Sequence, residues 1–206
     1  ALYSDVAALE RFAAEVDVVT FEFENVPHDC VKLLSRRVRV RPGWKCLHIS
    51  QDRLREKDFL ATIGAPTVAY EKIAGADALA RAAAKLGRPA VLKTTRLGYD
   101  GKGQVLVGED TDPQAAWTEM GADEGILESF IDFEREISVI VARTPDGQLA
   151  AFDPVENRHV DHILDITIAP APISPALAHD AVDIAGRIAQ SMDLVGLLAV
   201  EMFVTR

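Results

Sequence analysis

The sequence predicts an α/β segment followed by an α+β core that carries a smaller, β-rich flap domain. Three observations predict it. Residues 5–34 run helix, strand, helix, the grammar of an open parallel sheet. Two valine-rich apolar runs, 90–92 and 105–107, flank a tract with three glycines, which reads as two strands joined by a loop. A long amphipathic helix from Ser174 is followed by a last apolar strand over 197–204.

Taken in order, Val6, Leu9 and Phe12/Ala13 share a face and place a helix over residues 5–15. Val18-Val19-Thr20-Phe21 marks a strand over 17–23, and a second helix covers 29–34. Loops beyond strand carboxyl ends collect ligands in open α/β sheets, which makes Glu22, Glu24 and Asn25 candidates; a strand-end turn with solvated acids explains them equally well. Arg41-Pro42-Gly43 reads as a linker. A helix over 52–63 stops at Gly64 with Pro66 beyond, and another over 77–86 stops at Gly87-Arg88-Pro89. Asp112 as N-cap and Pro113 as first helical residue start a short helix through Trp117. Strands follow at 126–130, 136–141 and 149–152, the last two joined by the turn Pro145-Asp146-Gly147. Residues 163–173 read as extended and proline-bounded. Leu177, Ala181, Ile184, Ile188 and Met192 share one face of the helix that Ser174-Pro175 starts. There are no internal repeats and no low-complexity tracts.

The bulk composition narrows the function. A chain of 206 residues, 49% hydrophobic and 26% charged, can bury a sizeable core and fits one large domain or two small ones. Its formal net charge of −10 argues against general binding to nucleic acid or to an acidic membrane surface. An anionic ligand therefore needs a local basic patch. No apolar run is long enough for a membrane helix, and the first residues carry no signal-peptide pattern. The absence of an initiator methionine is expected for a chain that starts inside a longer gene product. Cys30 and Cys46 have neither disulfide-framework nor zinc spacing, so two free thiols in a reducing cytosol are expected.

Chemistry concentrates in residues 93–104, Lys-Thr-Thr-Arg-Leu-Gly-Tyr-Asp-Gly-Lys-Gly-Gln. The Walker loop and the dinucleotide fingerprint are both absent. Glycines let backbone N–H groups converge on an anion, and Lys93 and Lys102 add positive charge, as in a flap closing over phosphates. Alone, the tract also suits a Gly-rich hairpin with solvated lysines. Glu128 and Glu201 interrupt apolar strands, where a carboxylate is costly unless paired or metal-bound. Magnesium bridging nucleotide phosphates uses one or two such carboxylates; strand alternation that turns Glu201 to water is the other reading. Glu136 heads a further strand, and a carboxylate there can take ribose hydroxyls. His159 lies in a polar segment, 154–162, that suits either a ligand contact or a solvated loop.

Residues 20–27 (Thr-Phe-Glu-Phe-Glu-Asn-Val-Pro), Gln51-Asp52-Arg53-Leu54, 93–104, Glu156-Asn157, 165–170 and Ala199-Val200-Glu201 together resemble the 5-(carboxyamino)imidazole ribonucleotide synthetases. These are ATP-grasp ligases of purine biosynthesis, the ATPase subunit of phosphoribosylaminoimidazole carboxylase. The resemblance spans essentially the whole chain, and the tract 98–104 with the motif 22–27 is specific to this branch. It implies an ATP-grasp fold preceded by the remnant of a Rossmann-like, pre-ATP-grasp domain. Residues 1–48 would be that remnant and its linker, and 49–206 the ATP-grasp domain, with a flap subdomain at about 72–130 and truncated before its end. Such an enzyme forms carboxyphosphate from ATP and bicarbonate and transfers the carboxyl group to 5-aminoimidazole ribonucleotide.

By that resemblance, Arg53 and Lys93 meet ATP phosphates. The backbone of Gly98, Tyr99, Gly101, Gly103 and Gln104 forms the flap. Glu128, Ser129, Phe130 and Ile131 line the adenine pocket, Glu136 takes the ribose and His159 lies at the nucleotide. Tyr99, Asp100 and Lys102 reach the aminoimidazole substrate, Asp100 and Lys102 as catalytic residues, and Glu201 is a magnesium ligand. ATP and Mg2+, a cytoplasmic location and a homodimer are the accompanying expectations, with no nucleic acid or membrane partner. The family's glycine-rich first strand and second metal ligand have no counterpart here, which points to part of a longer enzyme, with a non-catalytic nucleotide-binding module as an alternative. The tract Gly98 to Gln104 argues against a second alternative, the formate-dependent glycinamide ribonucleotide transformylases.

Overall fold

A computed structural model describes residues 2–98 and 102–206. They form two compact units. One comprises the residues up to Gln51 with Glu136–Asn157 and Thr167–Met202; the other comprises Asp52–Arg135, Arg158–Ile166 and Phe203–Arg206.

The first unit begins with α1 (Val6–Ala14), whose N-cap Asp5 accepts a hydrogen bond from Ala8 N at 3.0 Å. Its inner face is Leu9 and Ala13, packed with Cys30 and Leu34. Val6 and Phe12, expected on that face, are exposed. The strand expected over 17–23 is only β1 (Val18–Val19). Helix α2 (His28–Leu34) then crosses to β2 (Arg39–Val40), which pairs parallel with β1 in the register Val18 to Arg39. Helix α3 (Trp44–Ser50) follows directly, so the Arg41-Pro42-Gly43 linker is a tight junction. Short elements mixing Arg with Val carry too little periodicity to stand out in the sequence. Both cysteines are free and buried.

A five-stranded sheet comprises β7 (Phe133–Arg143), β8 (Leu149–Ala151), β9 (Val155–Val160), β10 (Ile163–Ile168) and β11 (Gly196–Thr205), in the order β10-β9-β7-β11 with β8 also on β7. Its residues within Glu136–Asn157 and Thr167–Met202 belong to the first unit, and residues 133–135, 158–166 and 203–205 to the second. β9 pairs with Glu136–Ser138 and β8 with Val141–Arg143, so the two share one edge of β7 at different heights. The polar stretch 154–162, read as either a ligand contact or a solvated loop, is strand β9 and a turn at Asp161 and His162, both with positive φ. Its pairing is through the backbone, which side-chain polarity does not reveal. Helix α7 (Pro175–Ser191), capped by Ser174, buries Ala181, Ala185, Ile188 and Ala189.

The second unit holds α4 (Arg53–Thr62), β3 (Tyr70–Ile73), α5 (Ala76–Leu86), β4 (Ala90–Thr94), β5 (Gln104–Val107), α6 (Pro113–Met120) and β6 (Gly125–Ser129). The antiparallel sheet has the order β3-β6-β4-β5. Alternation gives it two chemically different faces. Ile73, Ala90, Leu92, Val107 and Leu127 form one face, packed against Leu79, Ala82 and Ala83 of α5 and Ala116 and Met120 of α6. Lys93, Gln104, Ile126 and Glu128 belong to the other. Strand β3 is half charged, Tyr-Glu-Lys-Ile, and had no signal of its own. Among the described residues, no helix is long and apolar enough to cross a membrane.

Candidate functional site

Lys93 stands on β4 opposite Gln104 of β5 and Ile126 of β6. Glu128 lies two residues along β6 on the same face, a diagonal cross-strand position within reach of a long side chain. Its Oε2 accepts from Lys93 Nζ at 2.7 Å, and its Oε1 meets Lys57 Nζ at 3.2 Å. Only 7% of Glu128 is exposed. Burial pushes its carboxyl upward, but the ammonium groups of Lys93 and Lys57 outweigh that and hold it below the ordinary carboxylate range. The acid inside the strand is thus paired, twice over.

Helix α4 supplies the next element. Asp52 caps it, accepting from Leu54 N and Arg55 N at 3.1 and 3.2 Å. That cap orients Arg53 at the first turn. Its backbone N donates to Thr95 O at 2.9 Å, and its guanidinium donates to Thr94 O at 2.9 Å and Gly98 O at 3.1 Å. One arginine therefore grips the polypeptide where it leaves β4 and again four residues on. Thr94 N donates to Gly103 O at 2.8 Å and closes the root of the glycine tract. Gly103 has φ +69°, and a Cβ there would sit 2.9 Å from Thr94 Oγ1. At Gly98 a Cβ would lie 3.0 Å from Lys102 O and 3.3 Å from Arg53 Nη2. These two glycines are required by space, and at Gly103 also by backbone conformation. Thr94 Oγ1 is itself buried without a hydrogen-bond partner.

The structure brings Arg53, Lys93, Gly98, Gly103, Gln104 and Glu128 together in the second unit. Lys102 is exposed next to them in sequence. Tyr99, Asp100 and Gly101 lie outside the described residues. Ser129 N and Phe130 N already donate to Ala69 O and Pro89 O, so those two donors are committed to the fold, and Phe130 and Ile131 project beyond the strand. His159 is exposed on β9, not on a loop. In the first unit, Glu136 on β7 is paired in register with Asn157 of β9. Glu201 on β11 alternates outward with Leu197, Ala199 and Phe203. It is therefore an exposed carboxylate on a strand face, not a buried acid in need of a partner. Among the described residues, no group of three or more His, Cys, Asp or Glu is placed to hold a metal. Glu201 fits a single carboxylate contact to a metal that phosphates and water also ligate, not an all-protein cage.

Two residues were given no role in the sequence reading. Gln51, 7% exposed, donates from Nε2 to Glu24 O and Val26 O and so fixes the loop that carries Glu22 and Glu24. Lys57 sits one helical turn beyond Arg53, a spacing visible in the sequence once the helix is assumed.

A conserved domain description matches each part of the chain: an ATP-grasp domain over residues 58–206 and a ribonucleotide synthetase preATP-grasp domain over residues 1–51. The chain is 42% identical, over 100% of its length, to the N5-carboxyaminoimidazole ribonucleotide synthase of Brucella melitensis, of which it covers 58%. It is similar to the crystal structure of an ADP complex of an N5-carboxyaminoimidazole ribonucleotide synthetase, with a TM-score of 0.94 and 40% identity, covering 100% of this chain and 54% of that one. A third likeness, at 25% identity and a TM-score of 0.91, is to the Aspergillus clavatus synthase in complex with ADP and 5-aminoimidazole ribonucleotide, over 100% of this chain and 54% of that one. The chain thus spans a little over half the length of these relatives.

Proposed function

The chain belongs to the ATP-grasp family, and from that premise we propose that its protein carboxylates 5-aminoimidazole ribonucleotide with ATP and bicarbonate. The products are N5-carboxyaminoimidazole ribonucleotide, ADP and phosphate. The observation that carries the reading is the cationic root of the glycine tract, where Arg53 and Lys93 flank Gly98 and Gly103. Such a site suits polyphosphate in an otherwise acidic chain, through charge-assisted hydrogen bonds and unobstructed backbone N–H groups.

In this reading, a bicarbonate oxygen attacks the γ-phosphorus, and ADP leaves as carboxyphosphate forms. The exocyclic amine then attacks the carboxyl carbon, the C–O bond to phosphate breaks, and the amine gives up a proton. Carboxyphosphate is short-lived in water, so the flap's task is to exclude solvent and hold the amine in line. Arg53 and Lys93 bind the phosphates. Gly98, Gly103 and Gln104 close over them, Glu128 to Ile131 border the base, and Glu136 and His159 take the ribose side. Tyr99, Asp100 and Lys102 face the acceptor, with Asp100 and Lys102 placed to handle its proton. Glu201 would hold Mg2+, which when bound neutralises charge on the transferring phosphoryl group. A cytoplasmic homodimer belongs to the same reading.

ADP release measured on the full-length protein, with bicarbonate and with or without 5-aminoimidazole ribonucleotide, tests it. Stimulation by that nucleotide is expected; an ADP rate indifferent to it overturns the assignment.

A further inference from the structure

We propose that Lys57 is a positioning residue that keeps the Glu128 carboxylate neutralised, so that Lys93 can leave it for the nucleotide phosphates. The inference rests on the phosphate-binding reading of the site. It starts from an apparent conflict. Lys93 is the sheet's cation beside the glycine tract, yet its Nζ is bonded to Glu128 at 2.7 Å. An ammonium held by a buried carboxylate is a poor phosphate ligand unless the carboxylate has another counter-ion. Were Lys93 its sole partner, a phosphate that drew it away would strand a buried charge without a counter-ion.

Lys57 removes that conflict. Its Nζ lies 3.2 Å from Glu128 Oε1, the oxygen Lys93 does not use, and also donates to Thr67 Oγ1 at 2.9 Å. Its side chain is 14% exposed against 25% for Lys93, so Lys57 is the more enclosed of the two. Helix α4 carries it. Arg53 and Lys57 are one turn apart on one face, the first gripping the flap root and the second the acid. Among the described residues, the charged groups paired with Glu128 are Lys93 from β4 and Lys57 from α4. Tyr70 of β3, opposite Glu128 in register, gives its hydroxyl to Asp58 of α4 at 2.7 Å, and that bond pushes its phenol up to about 12. Tyr70 therefore stays neutral and does not compete for the carboxylate.

The consequence is a specific linkage. Without Lys57, freeing Lys93 requires Glu128 to take up a proton. Nucleotide binding then becomes proton-coupled and strengthens as pH falls, whereas with Lys57 present it does not.

The test uses full-length protein and calorimetric titration with ATP at pH 6 and pH 8, on wild type, K57M, K57R and K57M/E128Q. Expected are a loss of affinity on the order of tenfold in K57M at pH 8, partial recovery at pH 6, and near wild-type binding by K57R. The double variant, which removes the acid along with its counter-ion, should bind better than K57M. In turnover, K57M should raise KM for ATP more than it lowers kcat. If wild type binds no ATP, the reading of the site fails. If wild type binds and K57M matches it at both pH values, the role of Lys57 is overturned. Should K57M not fold, K57R decides: retained affinity supports the role and a tenfold loss overturns it.

Discussion

Gly103 shows how much a single position can demand. Its φ of +69° and the 2.9 Å approach of Thr94 Oγ1 to a built Cβ act together, so Gly103→Ala is expected to cost about 1–3 kcal/mol. Thermal unfolding would show this as a lowered Tm, accompanied by loss of ADP release. Glu128 makes a prediction in pH. Its folded carboxyl lies below the ordinary 4.5, so it contributes stability that is present above that value and lost as pH falls through the lower, folded one. Urea unfolding from pH 6 down to pH 3 should therefore fall more steeply for wild type than for Glu128→Gln; equal slopes would show that the pair adds nothing. Glu201 is the opposite case. Exposed and without a burial cost to relieve, Glu201→Gln should leave the unfolding free energy within about 0.5 kcal/mol of wild type. Magnesium-dependent turnover should vanish, and survival of that turnover would make Glu201 a surface residue only.

At the scale of elements, α4 connects the cap, the flap root and the acid. Asp52→Ala removes the acceptor for Leu54 N and Arg55 N, and a loss of about 1 kcal/mol is expected. Because the first turn carries Arg53, the KM for ATP should rise as well; Asp52→Asn, which keeps an acceptor, should recover most of both. Elements with strong punctuation were legible in the sequence: Asp52 and Gly64 bounded α4, Asp112-Pro113 opened α6, and Ser174-Pro175 opened α7. The strands β2, β3 and β9 were not. Arg39-Val40, Tyr70-Glu71-Lys72-Ile73 and Val155 to Val160 are held by backbone pairing while their side chains alternate charge with bulk, so hydrophobic period carries no trace of them. The same limit applies to the site. A carboxylate in an apolar strand flagged Glu128, but its second partner lies 71 positions away along the chain, and only the packing of α4 over the sheet brings Lys57 to it.

Across the whole molecule, the chain passes between its two units after Gln51, Arg135, Asn157, Ile166 and Met202. The first unit is thus assembled from three separate stretches, but residues 52–135 hold an entire sheet, its covering helices and their core without interruption. That stretch, expressed alone, should unfold in one cooperative thermal transition by circular dichroism; a featureless melt would show that the remaining stretches are needed. The two-faced sheet within it also has a bearing on how such a sequence can drift. Neighbouring codons in β4 answer to different tests: Ala90 and Leu92, in the core, to whether folded protein accumulates, and Val91 and Lys93, on the opposite face, to the proposed nucleotide site. In a saturation library selected first for soluble yield and then for growth without purines, tolerance along residues 90–93 should rise and fall with a period of two, and the two selections should be out of phase.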